Sequence, residues 1–299
     1  MDVSVIIVNY NTKELTKNCI DSVFAQTSGV SFEVILVDNA STDGSIELFE
    51  KDDRIRFVES GGNLGFGKAN NIGYNYATGK YLFLLNSDTL LLNNAIKEFF
   101  LQMEVHDATI ACMGCLLIDA KQKPTHSYGR FPTFWNELVR KPFRTLQRVP
   151  FIRNRFDGYD DGPLSVIDEK CFEVEYVTGA DLFMRKTVAD QYGLFDPDFF
   201  MYYEECEMQY RYRKHGYRSA ITDAPKVQHL VGGSDVSSKS LWGDRDVESL
   251  VICCRKMYGH KKTQMMKYGW AIAFIPMLLL DWRYPVREKY AYMKRFLQA

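Results

Sequence analysis

The chain has 299 residues, 46% of them hydrophobic and 25% charged, an ordinary balance for a soluble globular protein. That length suits one large α/β domain, or one domain with an appendage. A formal net charge of −1 argues against wholesale nucleic-acid binding, and no nucleic-acid partner is expected.

Met1-Asp2-Val3 runs directly into the apolar stretch Val3 to Val8, so the start predicts a strand and no export signal. Asn11 and Glu14 have capping-box spacing, and Leu15, Cys19, Ile20 and Val23 follow at helical period. Phe32 to Val37 predicts a second strand ending in Asp38. Ser41 to Gly44 reads as a turn and helix start, and Arg56 to Val58 as a short third strand. The glycine-rich stretch Gly61 to Gly67 leads into a helix carrying Ala69, Ile72 and Tyr76. Tyr81 to Leu85 is an apolar run that ends abruptly in Asn86-Ser87-Asp88, the pattern of a buried strand. A helix with Ile96, Phe99, Phe100 and Met103 on one face follows. Strands alternating with helices imply right-handed crossovers and a largely parallel sheet.

The pattern breaks between Gln122 and Asp161, where prolines, aromatics and basic residues show no clean period. Eight Lys/Arg stand there against the single acid Glu137, counted from Lys123 to Arg155. Such a stretch is a functional loop or a misassigned element. Phe172 to Val177 predicts a strand, Glu204 to His215 a helix stopped by Gly216, and Arg218 to Thr222 a strand. From Arg255 onward ten Lys/Arg face only Asp281 and Glu288, a net of +8 that leaves −9 for the rest. Within that basic tail, Tyr268 to Leu280 is uncharged and contains Pro276. It falls short of the roughly 18 residues a membrane span needs, and reads as a buried or an interfacial helix. The seven cysteines are scattered. Cys112-Met113-Gly114-Cys115 lacks a second pair for zinc and sits in an apolar run, so buried free thiols and a reducing cytoplasm are expected.

In an open α/β sheet ligands bind at the carboxyl ends of the strands. Asp38 and Asp88 end two strands and Asn9-Tyr10-Asn11 a third, so side by side they make one polar cleft. Asp88 stands where a carboxylate can hold a divalent cation against a phosphorylated ligand. Asn86, Ser87 and Asp88 are also all turn formers, and a plain turn is the competing reading. The glycine stretch lacks G-x-G-x-x-G spacing and does not follow the first strand. Gly62 to Lys68 fits G-x-x-x-x-G-K, but Ala69 stands where a magnesium-binding hydroxyl belongs.

Six blocks in order resemble the signatures of family 2 inverting glycosyltransferases, in particular the rhamnosyltransferase-like branch. They are Val5-Ile6-Ile7-Val8-Asn9-Tyr10-Asn11, Val37-Asp38-Asn39-Ala40-Ser41-Thr42-Asp43-Gly44, Asn63-Leu64-Gly65-Phe66-Gly67-Lys68-Ala69-Asn70, Leu85-Asn86-Ser87-Asp88, Thr178-Gly179-Ala180, and Phe195-Asp196 through Phe199-Phe200-Met201-Tyr202-Tyr203-Glu204-Glu205. The resemblance spans about residues 3–234. It implies a GT-A-type α/β fold, mostly parallel sheet flanked by helices, over residues 1–235; the charge and apolar pattern of the tail predicts a basic helical appendage at residues 236–299. It implies that Asp38 holds the base or ribose of a nucleotide-sugar donor, with Val8 and Asn9 lining the pocket and Lys68 near the base or diphosphate. A solvated helix-start lysine is the plain alternative for Lys68. Asn86-Ser87-Asp88 matches the D-x-D motif, with Asp88 binding Mg²⁺ or Mn²⁺ and Asn86 in place of the first acid. Glu205 matches the acidic base, although both Glu204 and Glu205 also complement a helix dipole. His229, ahead of Gly232-Gly233-Ser234, resembles the late histidine that completes the metal site, against a packed or capping role. Trp135 and Trp242 read as sugar-stacking rings or as loop anchors.

The expected function is transfer of a sugar, with inversion, from a nucleotide-diphosphate donor to a glycan or lipid-linked glycan acceptor in surface polysaccharide or glycolipid assembly. A sugar-phosphate nucleotidyltransferase and a non-catalytic sugar-nucleotide binder are the alternatives. The basic loop and tail suggest peripheral contact with the inner face of the cell membrane, against a soluble helical subdomain packing its apolar face inward.

Overall fold

The computed structural model describes residues 1–133, 162–230, 244–280 and 285–298. Residues 134–161 of the irregular basic segment, Trp135, Trp242 and Gly232-Gly233-Ser234 lie outside them. The chain divides into two compact units. One comprises Met1–Gly129, Pro163–Phe200 and Glu204–Val236, and the other includes Met201–Tyr203 and the C-terminal helices.

The first unit opens with β1 (Val3–Asn9), α1 (Lys13–Gln26), β2 (Phe32–Asp38), α2 (Ser45–Phe49), β3 (Arg56–Glu59), α3 (Phe66–Tyr74) and β4 (Tyr81–Asn86). It continues through β5 (Thr89–Leu91), α4 (Ala95–Val105), β6 (Ile110–Cys115), β7 (Tyr128–Gly129), β8 (Ser165–Val166), β9 (Cys171–Val174) and β10 (Tyr176–Val177). It closes with β11 (Asp181–Arg185), α5 (Lys186–Tyr192), α6 (Glu204–Lys214), β12 (Arg218–Thr222) and β13 (Val227–His229). The main sheet has nine strands in the order β3-β2-β1-β4-β11-β6-β12-β9-β8. β1, β2, β3 and β4 pair in parallel, as do β6 and β12, while β11 runs antiparallel between β4 and β6. The sheet is therefore mixed but mostly co-directional.

Side-chain alternation along the central strands makes the layers. Val3, Val5 and Ile7 of β1 and Tyr81, Phe83 and Leu85 of β4 bury on one face, against Cys19, Ile20 and Val23 of α1 and Ile96, Phe99 and Met103 of α4. Ile6, Leu82 and Leu84 bury on the other, with Ala69 of α3, Val188 of α5 and Met208 and Tyr212 of α6. Both faces of β1 and β4 are covered, which is why their sequences read as continuous apolar runs. All seven cysteines are buried free thiols, as expected.

Two local readings change. Asn11 and Glu14 do not form a capping box: α1 starts at Lys13, and its N–H is taken by Asp43 Oδ2 at 2.9 Å, thirty residues away. Asn11 instead adopts a left-handed backbone (φ 55°) and accepts the Thr42 N–H at 2.7 Å. Phe172 to Val177 is not one strand. β9 joins the main sheet and β10 pairs with β7 in a separate ribbon, because Val174 and Val177 both pack inward and the chain bends at Glu175.

The second unit contains α7 (Asp244–Tyr258), α8 (His260–Leu280) and α9 (Val286–Gln298). Val247, Leu250, Val251 and Cys254 of α7 bury with Met266 and Trp270 of α8. No helix among the described residues is long and apolar enough to cross a membrane.

Candidate active site

Strand register gathers the polar residues at one sheet edge. Asn9 lies opposite Asp38, and Val8 opposite both Val37 and Asn86, so β1, β2 and β4 end level with one another. Asn9 and Asp38 are fully buried, and Val8 is half-buried. Asn9 Nδ2 donates to Asp38 Oδ2 at 2.7 Å and to Ser41 Oγ at 3.0 Å, while Asp38 Oδ1 accepts the Ser41 N–H at 2.8 Å. Asn9 Oδ1 accepts from Thr12 and Thr16, and the Thr12 hydroxyl lies 3.1 Å from Ser87 Oγ. A continuous hydrogen-bonded chain thus joins Asp38 to the Asn86–Asp88 turn. Thr12 was not singled out from the sequence, because nothing local to it signals a partner seventy-five positions away.

Asp88 is almost fully buried, and its Oδ1 lies 3.2 Å from His229 Nε2. The approach is built by backbone: β5 pairs antiparallel with β13, His229 opposite Thr89, and the Leu230 N–H bonds the Asp88 carbonyl at 2.9 Å. Two cis ligands of an octahedral ion at 2.0–2.1 Å stand about 3 Å apart, so the spacing of these two donors fits one divalent cation. Among the described residues no cluster of three or more His, Cys, Asp or Glu exists. The remaining coordination positions would fall to donor oxygens and water, the usual habit of Mg²⁺. Asn86 is half-buried, and its N–H bonds the Ala180 carbonyl at 3.0 Å.

Thr178-Gly179-Ala180 also reaches Glu205. Burial pushes the Glu205 pKa above the ordinary carboxylate value, against the pull of the backbone N–H groups of Glu205, Cys206 and Gly179 around the start of α6. Gln209 straps α6 to β10, donating to the Val177 carbonyl at 2.8 Å and accepting the Val177 N–H at 2.9 Å. Ahead of this helix Tyr202 and Tyr203 both take left-handed backbone conformations, at φ 70° and 66°. For non-glycine residues that costs roughly 1–2 kcal/mol each.

The glycine stretch has a packing role. A Cβ on Gly65 (φ +85°) would sit 2.0 Å from the Phe200 carbonyl oxygen, which accepts the Phe66 N–H at 2.9 Å. Gly67 likewise lies against Phe195 and Glu204. The glycines let α3 dock on the segment leading to Glu204-Glu205. Lys68, on the first turn of α3, is exposed.

One further acid stands at this edge. Asp181 opens β11 opposite Leu85 and is fully buried. Its Oδ2 accepts the Cys115 N–H at 2.7 Å, and its Oδ1 has no hydrogen-bond partner among the described residues. Burial raises its pKa to about 7, against the pull of the Cys115 N–H and the His229 side chain. A lone acid ahead of Leu182-Phe183-Met184 gives no signal in sequence.

Buried polar groups and a carboxylate–imidazole pair thus gather at the carboxyl ends of the strands of an α/β sheet, where such folds bind ligands. The family model described as glycosyl transferase family 2 matches residues 4–163, more than half of the chain, and the chain belongs to that family. It is 28% identical over 218 residues to the low-salt glycan biosynthesis hexosyltransferase Agl10 of Haloferax volcanii, covering 71% of this chain and 62% of that protein. It is 31% identical over 112 residues to glycosyltransferase GlyG of Streptococcus pneumoniae, 36% of this chain and 37% of that one. The matches thus span less than two thirds of these relatives. Among solved structures, S. aureus TarS 1-349 in complex with UDP-GlcNAc superposes with TM-score 0.62 at 16% identity, over 99% of this chain and 79% of that one. The Pyrobaculum calidifontis mannosyltransferase PcManGT, in complex with GDP-Man and Mn²⁺, gives 0.57 at 17%, over 99% and 84%. At these identities the likeness establishes the fold, which is the GT-A arrangement.

Proposed function

We propose that the chain transfers a sugar, with inversion, from a nucleoside diphosphate donor to an acceptor hydroxyl, with Mg²⁺ or Mn²⁺ as cofactor. The observation that carries this is the Asp88–His229 pair, 3.2 Å apart at the carboxyl end of β4. The cation, when bound, offsets the negative charge that develops on the departing diphosphate. Asp88 and His229 would hold it. Asp38, Asn9 and Val8 would form the floor of the base and ribose pocket, with Asn86 and Ser87 toward the diphosphate. Lys68, exposed on the first turn of α3, would reach the donor only from the rim.

Glu205 would accept the proton of the attacking hydroxyl. Its raised pKa suits a base, and the rate should climb with pH through a value above the ordinary carboxylate range. The relatives and neighbours support donors of the UDP or GDP type and acceptors in glycan assembly. We place the acceptor on a lipid-linked glycan at the inner face of the cell membrane, and the rhamnosyltransferase-like motifs favour a deoxyhexose or hexose as the sugar.

The test is a thermal-shift panel of UDP, GDP, CDP and dTDP with and without Mn²⁺, followed by turnover with the matching sugar nucleotide. Asp88→Ala should lower transfer by roughly a hundredfold or more and remove the Mn²⁺-dependent part of the shift. Glu205→Gln should bind donor normally and lose turnover. Unchanged turnover in Glu205→Gln points to the non-catalytic binder, and release of pyrophosphate in place of nucleoside diphosphate to the nucleotidyltransferase.

A further inference from the structure

We propose that the outward face of α8 docks on an anionic lipid bilayer. The proposal rests on the helices of the second unit alone and is independent of the transfer reaction.

Helix α8 is apolar on two sides. Its inner side buries Met266 and Trp270 against α7, together with Thr263 and Lys267. Its other side carries Met265, Tyr268 and Ile272, which are 68%, 64% and 68% exposed. Successive residues turn by about 100° in a helix, so with Met265 at zero, Ile272 falls near about −20° and Tyr268 near about −60°. On the same scale the four inner residues fall between about 100° and about 200°. The three exposed side chains therefore form one stripe, well separated from the packed side. An isolated exposed Leu or Met needs no explanation; three in line on one helix mark a contact surface.

Charge identifies what covers the stripe. Lys261 and Lys262, both exposed, lie at about −40° and about +60°, astride the stripe on its first turn. Arg255 and Lys256 end α7 just before, and Arg287 and Lys294 are exposed on α9. Between Arg255 and Ile272 every exposed charged side chain is basic. A second copy meeting this face would bring like charges together. An anionic bilayer answers both features: the apolar stripe enters the acyl boundary, and the lysines snorkel to the headgroups. The helix lies in the interface plane and does not span it.

The full chain should co-sediment at low salt with phosphatidylcholine–phosphatidylglycerol vesicles and far less with phosphatidylcholine alone. Ile272→Glu should lower the partition coefficient roughly tenfold or more. Replacing Lys261 and Lys262 with alanine should do the same for the anionic vesicles only. Both variants should keep the wild-type melting temperature and donor hydrolysis, because these side chains face outward. A wild-type chain that stays unbound at low salt overturns the proposal, as does Ile272→Glu binding like wild type. A concentration-dependent dimer that Ile272→Glu abolishes overturns it in favour of a second copy.

Discussion

Asp181 is the side chain whose surroundings carry the clearest thermodynamic signature. Its folded pKa of about 7 lies above the value of about 3.9 for an exposed aspartate. Between those values the native state binds the extra proton, so folding stability is highest below pH 4 on this account and falls as pH rises toward 7. Asp181→Asn should flatten the urea midpoint across that window and leave the variant more stable than wild type above pH 7, by up to about 4 kcal/mol. A wild-type slope retained in the variant would assign the pH dependence elsewhere. Asp181 was illegible in the sequence because burial and an open Oδ1 are tertiary properties. Asp88 and His229 were legible because strand ends and ordered motifs pointed to each, and the structure brings them together. Asn9 and Asp38 stood out as a pair of strand-end polar groups. Their mutual hydrogen bond, and the Thr12 link onward to Ser87, depended on a register no local pattern encodes.

At the scale of elements, the alternation from β1 to α4 followed from periodicity, since long apolar runs and amphipathic helices carry their own signal. The short pieces did not. β5 and β13 have three residues each, too few for a period, yet their pairing is what aligns Asp88 with His229. The capping-box spacing of Asn11 and Glu14 does not cap α1, because Asp43 supplies from a distance what a capping box supplies locally. The glycine stretch shows the converse, a strong signal with an unexpected cause. Gly65 serves the approach of α3 to the Phe200 backbone. Gly65→Ala should therefore destabilise by roughly 1–3 kcal/mol through overpacking, with an added penalty for its positive φ. It should also lower turnover more than donor affinity, since the displaced segment leads directly to Glu205. Turnover and melting temperature both at wild-type values would remove the glycines from this role.

Across the whole first unit, the candidate binding edge is assembled from residues near positions 9, 38, 88, 181, 205 and 229, and its final strand pairing, β5 with β13, joins Thr89 to His229. Pairings of such sequence separation form slowly, because loop closure must precede any reward. In refolding from denaturant, recovery of Mn²⁺ binding should lag behind recovery of helical circular dichroism; simultaneous recovery would show that the pairing is not limiting. The same separation matters during synthesis. A ribosome adding roughly 5–20 residues per second delivers His229 roughly 7–28 s after Asp88. Through that interval the nascent chain displays the acid without its imidazole, so under the proposed function a half-made enzyme would have no competent cation seat with which to capture and waste its donor.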